Sequence, residues 1–291
     1  MTSFAGKNVV ITGAGSGIGR ALAVRFSSEG ANLALCDISA DGLAETVQLI
    51  KAAHVKTVSE RVDVSSQTEM ERFARLVETQ LGGADIIVNN AGVSLTQMAE
   101  EMPKANMEWL FGINFWGVIH GCTAFLPQLR TRTNAHIVNI SSLFGLIPMA
   151  SQSAYVASKF AVRGYTESLR LELAHTSIKV SCVHPGGIDT GIVRNGRHIS
   201  ASHGQVDPTV LAKNFKSVAR TSPDQAAAKI IAGIASGNPR ILIGPDAIIL
   251  DLLQRFAPRG IQRLLIAFQR IVDRRALRPH EAIPEGPNKA A

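Results

Sequence analysis

Seven short apolar runs, separated by longer segments with apolar residues at helical spacing, narrow the folds open to this chain more than any other feature. The runs cover residues 8–12, 32–36, 57–62, 85–88, 136–140, 179–183 and 240–243. They are mostly apolar throughout rather than alternating, which suits strands of a parallel sheet covered on both faces. Intervening segments such as 20–29, 67–80 and 154–174 suit the crossover helices that such strands require. The expectation is an α/β fold: a doubly wound parallel sheet of about seven strands in one domain, residues 1–245, with right-handed crossovers. Two places interrupt the alternation. Residues 186–222 show no strong period and predict a long loop holding a short helix. Residues 246–291 predict a helical extension and tail, with helical periods over 246–256 and 261–272 and a break at Pro258 and Gly260.

Composition excludes several classes. At 291 residues and 46% hydrophobic content the chain can bury a sizeable core. The first residues lack the basic segment, apolar core and cleavage site of a signal peptide. No uncharged apolar run is expected to reach the length that crosses a bilayer. Cys36, Cys122 and Cys182 are irregularly spaced in apolar surroundings, which fits neither a disulfide framework nor a metal site. A cytoplasmic location is the expectation, with contact at a membrane periphery as a further option. The net charge of +7 is concentrated between Asp251 and Arg278, where seven arginines face two aspartates. With no recognisable nucleic-acid motif elsewhere, no nucleic-acid partner is expected.

The first run passes into T-G-A-G-S-G-I-G, Thr12 to Gly19, and then directly into a helix. Glycines at this position let the backbone turn tightly and approach a pyrophosphate, whose oxygens the helix-start amides favour. Asp37 ends the second run, twenty residues beyond Gly17. A carboxylate there can accept hydrogen bonds from both adenosine ribose hydroxyls and repel a 2′-phosphate, so NAD is favoured over NADP. Ser16 and Ile38 beside it are uncharged.

S-A-Y-V-A-S-K-F sets Tyr155 and Lys159 one helical turn apart on one face. A phenol near pKa 10 is a poor base at neutral pH, and a nearby ammonium favours its phenolate. Ser142 lies thirteen residues before Tyr155, and Asn114 lies on the long helix before that strand.

Read as T-G-x-x-x-G-x-G with this set, the chain resembles the short-chain dehydrogenase/reductase family from about Gly6 to Gly244. The resemblance implies a Rossmann-type sheet, NAD(P) as cofactor, and Asn114, Ser142, Tyr155 and Lys159 as the catalytic tetrad. It implies cofactor contacts from Gly13, Ser16, Gly17, Ile18, Gly19 and Asp37, with Asp63 and Val64 at the adenine. It adds Asn90, Ala91 and Gly92 beside the ribose, and Pro185, Gly186, Ile188 and Thr190 around the nicotinamide end. Tyr155 and Lys159 also face the cofactor, Lys159 holding the nicotinamide ribose. Asn114 helps place a water that links the lysine to solvent, and no metal is required. Homodimers or homotetramers form in this family through the two long helices, here about 104–125 and 154–174.

Substrate contacts are expected from Ser142, Phe144, Met149, Tyr155 and Gly187. The apolar stretch Leu143, Phe144, Leu146, Ile147, Pro148 and Met149 implies a small apolar secondary alcohol or ketone. Two other functions compete: an NADP-dependent reductase of carbonyl or acyl-carrier substrates, and a non-catalytic NAD-sensing protein on the same fold. Three readings compete for the tail: a cover over the pocket, a subunit contact, or an amphipathic surface touching anionic membrane.

Overall fold

The computed structural model describes residues 4–276 apart from 53, 194–195, 202–203, 212 and 214–218. Its sheet consists of β1 (Asn8–Thr12), β2 (Asn32–Asp37), β3 (Thr57–Arg61), β4 (Ile86–Asn89), β5 (Ala135–Ile140), β6 (Ile178–Pro185) and β7 (Arg240–Ile243). The strand order is β7-β6-β5-β4-β1-β2-β3, and every pair is parallel. The order reverses between β1 and β4, which opens a crevice beyond their C-terminal ends.

The connecting helices are α1 (Gly17–Ser28), α2 (Ala40–Leu49), α3 (Gln67–Leu81), α4 (Lys104–Arg130), α5 (Ser153–Glu172) and α6 (Pro223–Ser236). Each face of the sheet has its own core. Leu22 and Phe26 of α1 and Ile230 and Ile234 of α6 pack on Val9, Ile11 and Leu33. On the other face Phe73 of α3, Phe125 of α4 and Val162 of α5 pack on Val10, Ile87 and Ile137. Phe73 and Phe125 meet edge to face at 6.1 Å. The α/β doubly wound Rossmann-type fold expected from the alternation is the fold observed, with all seven strands present.

Several boundaries differ for physical reasons. α1 begins at Gly17, three residues early, because the glycine turn itself forms its first turn. β6 extends to Pro185, since β7 continues the pairing as Leu242 with His184 and Ile243 with Pro185. Among the described residues the tail is broken only at Ala257: α7 (Pro245–Phe256) and α8 (Pro258–Ala276) each start on a proline, which a first helical turn tolerates. The short helix expected in the 186–222 loop begins at Pro208, and its continuation falls largely outside the described residues.

The expectation about apolar runs also needs correction. α4 is 27 residues long and contains an 18-residue window of mean hydropathy 1.3, enough by length and composition to cross a membrane. Its Leu110, Asn114, Val118, Cys122, Phe125 and Leu129 are buried, as expected of a core helix on the sheet. Such a helix needs an apolar inner face, and here the outer face adds exposed Trp116.

His136 in β5 is buried, and its Nε2 donates to Ser181 Oγ at 2.7 Å, because the Ser181 hydroxyl is itself donated to Asn238 O. Burial, reinforced by the charge of Lys179, holds its pKa down to about 4. Between pH ~6.5 and ~4 the unfolded chain therefore binds the proton first, and stability is lost as pH falls through that window, by up to about 3 kcal/mol. Thermal melting across this range should fall less steeply for His136→Gln than for the parent. Equal slopes would remove His136 from the account.

Candidate active site

At the reversal of strand order, Thr12 closes β1 and its Oγ1 accepts hydrogen bonds from the Asn90 and Ala91 amides, both at 3.0 Å. Asn90 Nδ2 returns to Thr12 O at 2.9 Å and Gly13 O at 3.1 Å. The N-N-A-G turn after β4 is thereby tied to the glycine turn after β1. A Cβ on Gly13 would lie 2.8 Å from Ala91 Cα, and one on Gly19 would lie 2.1 Å from Gly13 O. Only glycines allow this approach. Ser16, the residue before α1, makes no side-chain cap, so it does not occupy the helix-start amides. Such a cradle, with its amides at the head of a helix, fits the pyrophosphate of a dinucleotide.

Asp37 ends β2 beside the glycine turn. Its Oδ2 accepts from the Gly15 amide at 2.8 Å and its Oδ1 from the Ser39 amide at 2.9 Å, which fixes the carboxylate against the turn. Arg20, the nearby cation, is paired with Glu45 at 2.7 Å and also donates to Thr46 Oγ1 at 3.1 Å. Asp63 accepts through one oxygen from the Ser65 amide and hydroxyl, and Val64 beside it is buried against α4. Thr190 reaches back across the crevice: a Cβ on Gly17 would touch its methyl and Cβ at 3.3 Å.

The second half of the site collects on β5, α4 and α5. Ser142 follows β5, and its Oγ accepts from the Phe144 amide at 3.1 Å. Ser141 points elsewhere, donating to the Lys159 carbonyl at 2.9 Å. Tyr155 is buried, with Phe144 edge-on at 6.3 Å and the Ser142 hydroxyl in reach of its own. Lys159 is 3% exposed, donates to Ile140 O at 3.0 Å, and lies 5.8 Å from the Tyr155 ring centroid. Asn114 sits in a π-helical turn, Gly112–Trp116, inside α4. Its carboxamide accepts from Val93 N at 2.8 Å and donates to Val93 O at 2.9 Å. A Cβ on Gly92 would meet Asn114 Oδ1 at 3.3 Å and Lys159 Nζ at 3.4 Å, so these groups share one small space.

One expectation is corrected by this geometry. In the protein alone the Tyr155 phenol is pushed up, not down, because burial disfavours its anion more than the Ser142 hydroxyl favours it. Lys159 lies over the ring, and its own ammonium is lowered to about 8 by burial.

The apolar stretch after Ser142 also divides. Phe144 packs against both clusters, and on the Tyr155 side it meets Leu95, Leu110, Met102, Met107, Trp109 and Ile192. Leu143, Leu146 and Ile147 instead pack under α7 and α8, against Ala247 and Ile261. Pro148 is exposed, and Met149 is half-buried and belongs to neither cluster. Tyr165 packs against Phe115, away from the site.

Sequence reasoning missed two features. The loop after β6 is fastened across the crevice: Leu95–Thr96 pairs in parallel with Arg197–His198, and Ser94 Oγ donates to Ile192 O at 2.8 Å. Asp246, at the start of α7, accepts from the Gly187 amide at 2.7 Å. A Cβ on Gly186 would lie 2.2 Å from that carboxylate. The signal was present as G-P-D after β7, but nothing local ties it to a turn some 60 residues earlier. Pro185 ends β6, Gly186 N donates to Ile243 O at 2.9 Å, and Ile188 is buried. No cluster that could hold a metal occurs among the described residues.

A dinucleotide cradle joined through the strand-end turns to a serine, tyrosine, lysine and asparagine set defines an oxidoreductase of one class. The chain belongs to the short-chain dehydrogenase/reductase family, matching the short chain dehydrogenase domain over residues 7–199. SadH of Mycobacterium tuberculosis, an oxidoreductase by name, is 43% identical over 269 residues, covering 92% of this chain and 96% of its own. Estradiol 17-beta-dehydrogenase 11 of Macaca fascicularis is 30% identical over 274 residues, 93% of this chain and 85% of its own. A solved short chain dehydrogenase/reductase from Burkholderia phymatum in complex with NAD superposes with a TM-score of 0.81 at 30% identity, covering 88% of this chain and 95% of that one.

Asp246→Ala should free the Gly186–Gly187 turn. Amide hydrogen exchange at Gly187 is expected to quicken about tenfold or more while β1 and β5 keep their protection. Unchanged exchange at Gly187 would show that the carboxylate does not hold the turn.

Proposed function

We propose that this protein interconverts an apolar secondary alcohol and its ketone, with NAD as the cofactor and Tyr155 as acid and base. The observation that carries the reading is the convergence of Ser142, Tyr155, Lys159 and Asn114 beside an apolar cluster, at the end of the crevice that begins with the glycine turn. When bound, the nicotinamide dinucleotide supplies the acceptor or donor of hydride. In oxidation the substrate hydroxyl gives its proton to the Tyr155 oxygen while the carbon-bound hydrogen leaves with its electron pair. In reduction the phenol returns that proton. Ser142 donates to the substrate oxygen and steadies the charge that develops on it. Lys159, donating to Ile140 O, would hold the cofactor ribose, and Asn114 fixes the strand-end turn through Val93. Ile188 and Thr190 close on the nicotinamide end, beside Gly17.

Support for NAD comes from Asp37, held at the end of β2 where it would oppose a 2′-phosphate. Arg20, already paired with Glu45, has little charge to spare for that phosphate, and Ile38 is exposed and neutral. The Burkholderia phymatum neighbour, solved with NAD, agrees with this preference. An apolar substrate is supported by Met102, Met107, Trp109 and Ile192 around Tyr155, which leave few groups to replace a polyol's lost water contacts. The relative named for estradiol points to the same substrate class.

Tyr155→Phe should lower kcat in an NAD-linked screen of apolar secondary alcohols by about 100-fold or more. Full activity in that variant would contradict the mechanism. In direct titration NAD should bind about tenfold or more tightly than NADP, and Asp37→Ala should narrow the difference. Equal affinities in the parent would contradict the NAD preference, and tighter binding of NADP would assign the chain to NADP-dependent reduction instead.

A further inference from the structure

α7 and α8 present an unusual outer surface. On α7, Ala247 and Asp251 are buried and Leu250 is half-buried, while Ile248, Ile249, Leu252, Leu253 and Phe256 all point outward. Their spacing puts the five on one continuous helical face, directly opposite the buried one. α8 is arranged differently: Ile261 is buried and Leu265 half-buried, exposed Leu264, Phe268 and Ile271 flank that buried stripe on one side, and exposed Ile266 lies on the far side. These nine large apolar side chains are 39–84% exposed, Phe256 most of all. Contiguous apolar surface of this kind is uncommon on a protein that meets only water.

The charge around it has one sign. Arg259, Arg263 and Arg270 form an exposed stripe along α8, with Leu264, Phe268 and Ile271 on the adjoining stripe. These three arginines have no ion pair among the described residues. The acidic side chains of the two helices face elsewhere: Asp246 accepts from Gly187, and buried Asp251 pairs with Arg240 and Arg255. Asp273 is half-buried and accepts from Gln269 at 2.8 Å.

We propose that α7 and α8 dock the protein on an anionic lipid surface, their apolar faces entering the acyl boundary and the arginines meeting the headgroups. Charge complementarity selects this occupant. A second copy meeting the same face around a two-fold axis would set arginine stripes of like sign against each other. The buried faces of the same two helices cover Leu143, Leu146 and Ile147, which adjoin Phe144 and so Tyr155. Docking rests on the surface alone. Its use in collecting an apolar substrate from the lipid rests on the function proposed above.

The test is flotation of the full chain with vesicles of phosphatidylcholine alone and of phosphatidylcholine mixed with phosphatidylserine. The protein should float with the mixed vesicles, and raising the salt should reduce the floated fraction about tenfold. Phe256→Ser with Phe268→Ser should abolish flotation while leaving melting temperature and turnover of a water-soluble alcohol unchanged. Arg259→Gln with Arg263→Gln and Arg270→Gln should do the same. Flotation of the double serine variant equal to the parent, or a folded parent that stays unbound to mixed vesicles, would overturn the proposal. So would a parent that fails to float yet sediments as a dimer which the serine variant dissociates, because the face would then be a self-contact. Failure to oxidise apolar alcohols, with flotation intact, would count against the proposed function and not against docking.

Discussion

The Lys159 ammonium donates to the Ile140 carbonyl at 3.0 Å from a position that is 3% exposed, and the catalytic half of the crevice is arranged around that contact. A buried cation costs several kcal/mol unless its surroundings compensate. Here compensation comes from a strand-end carbonyl, with Asn114 Oδ1 beside the same position next to Gly92. The π-helical turn at Gly112–Trp116 is what brings Asn114 inward to Val93. Such turns inside α-helices recur where a side chain must leave the regular helical register. The cost survives as a pKa lowered to about 8 by burial.

The same edge of the sheet is linked to the last two helices. Asp246 begins α7 and reaches the Gly186–Gly187 turn, while the buried faces of α7 and α8 cover Leu143, Leu146 and Ile147. The segment after Ser142 is thus shared, Phe144 turning toward Tyr155 and its neighbours toward the extension. Displacement of the extension would expose the underside of that segment and release the turn after β6 together.

What the sequence made legible was whatever a short stretch encodes. Strands β1 to β7 appear as apolar runs because a sheet covered on both faces demands them. The glycine turn, Asp37, Ser142 and the Tyr155–Lys159 pair are readable because each lies within a few residues of a strand end or on one helical face. Long-range contacts were not readable. The pairing of Leu95–Thr96 with Arg197–His198, the reach of Asp246 to Gly187, and the division of 143–149 between two clusters all depend on how distant segments meet. The phenol's acidity in the protein alone was unreadable for the same reason: the sequence places a lysine near Tyr155, but only packing reveals how deeply both are buried.

Burial makes Tyr155 a suppressed acid in the protein alone, and the proposed function requires its acidity to rise when the cofactor binds. The chain has two tyrosines, so 13C NMR of tyrosine labelled at the ring carbon bearing oxygen, with Tyr165→Phe for assignment, reads the titration of Tyr155 directly. The account predicts a pKa above the ordinary value of about 10 in the protein alone and a clear fall when NAD is added. A value already below that in the protein alone, or one that NAD leaves unchanged, would contradict it.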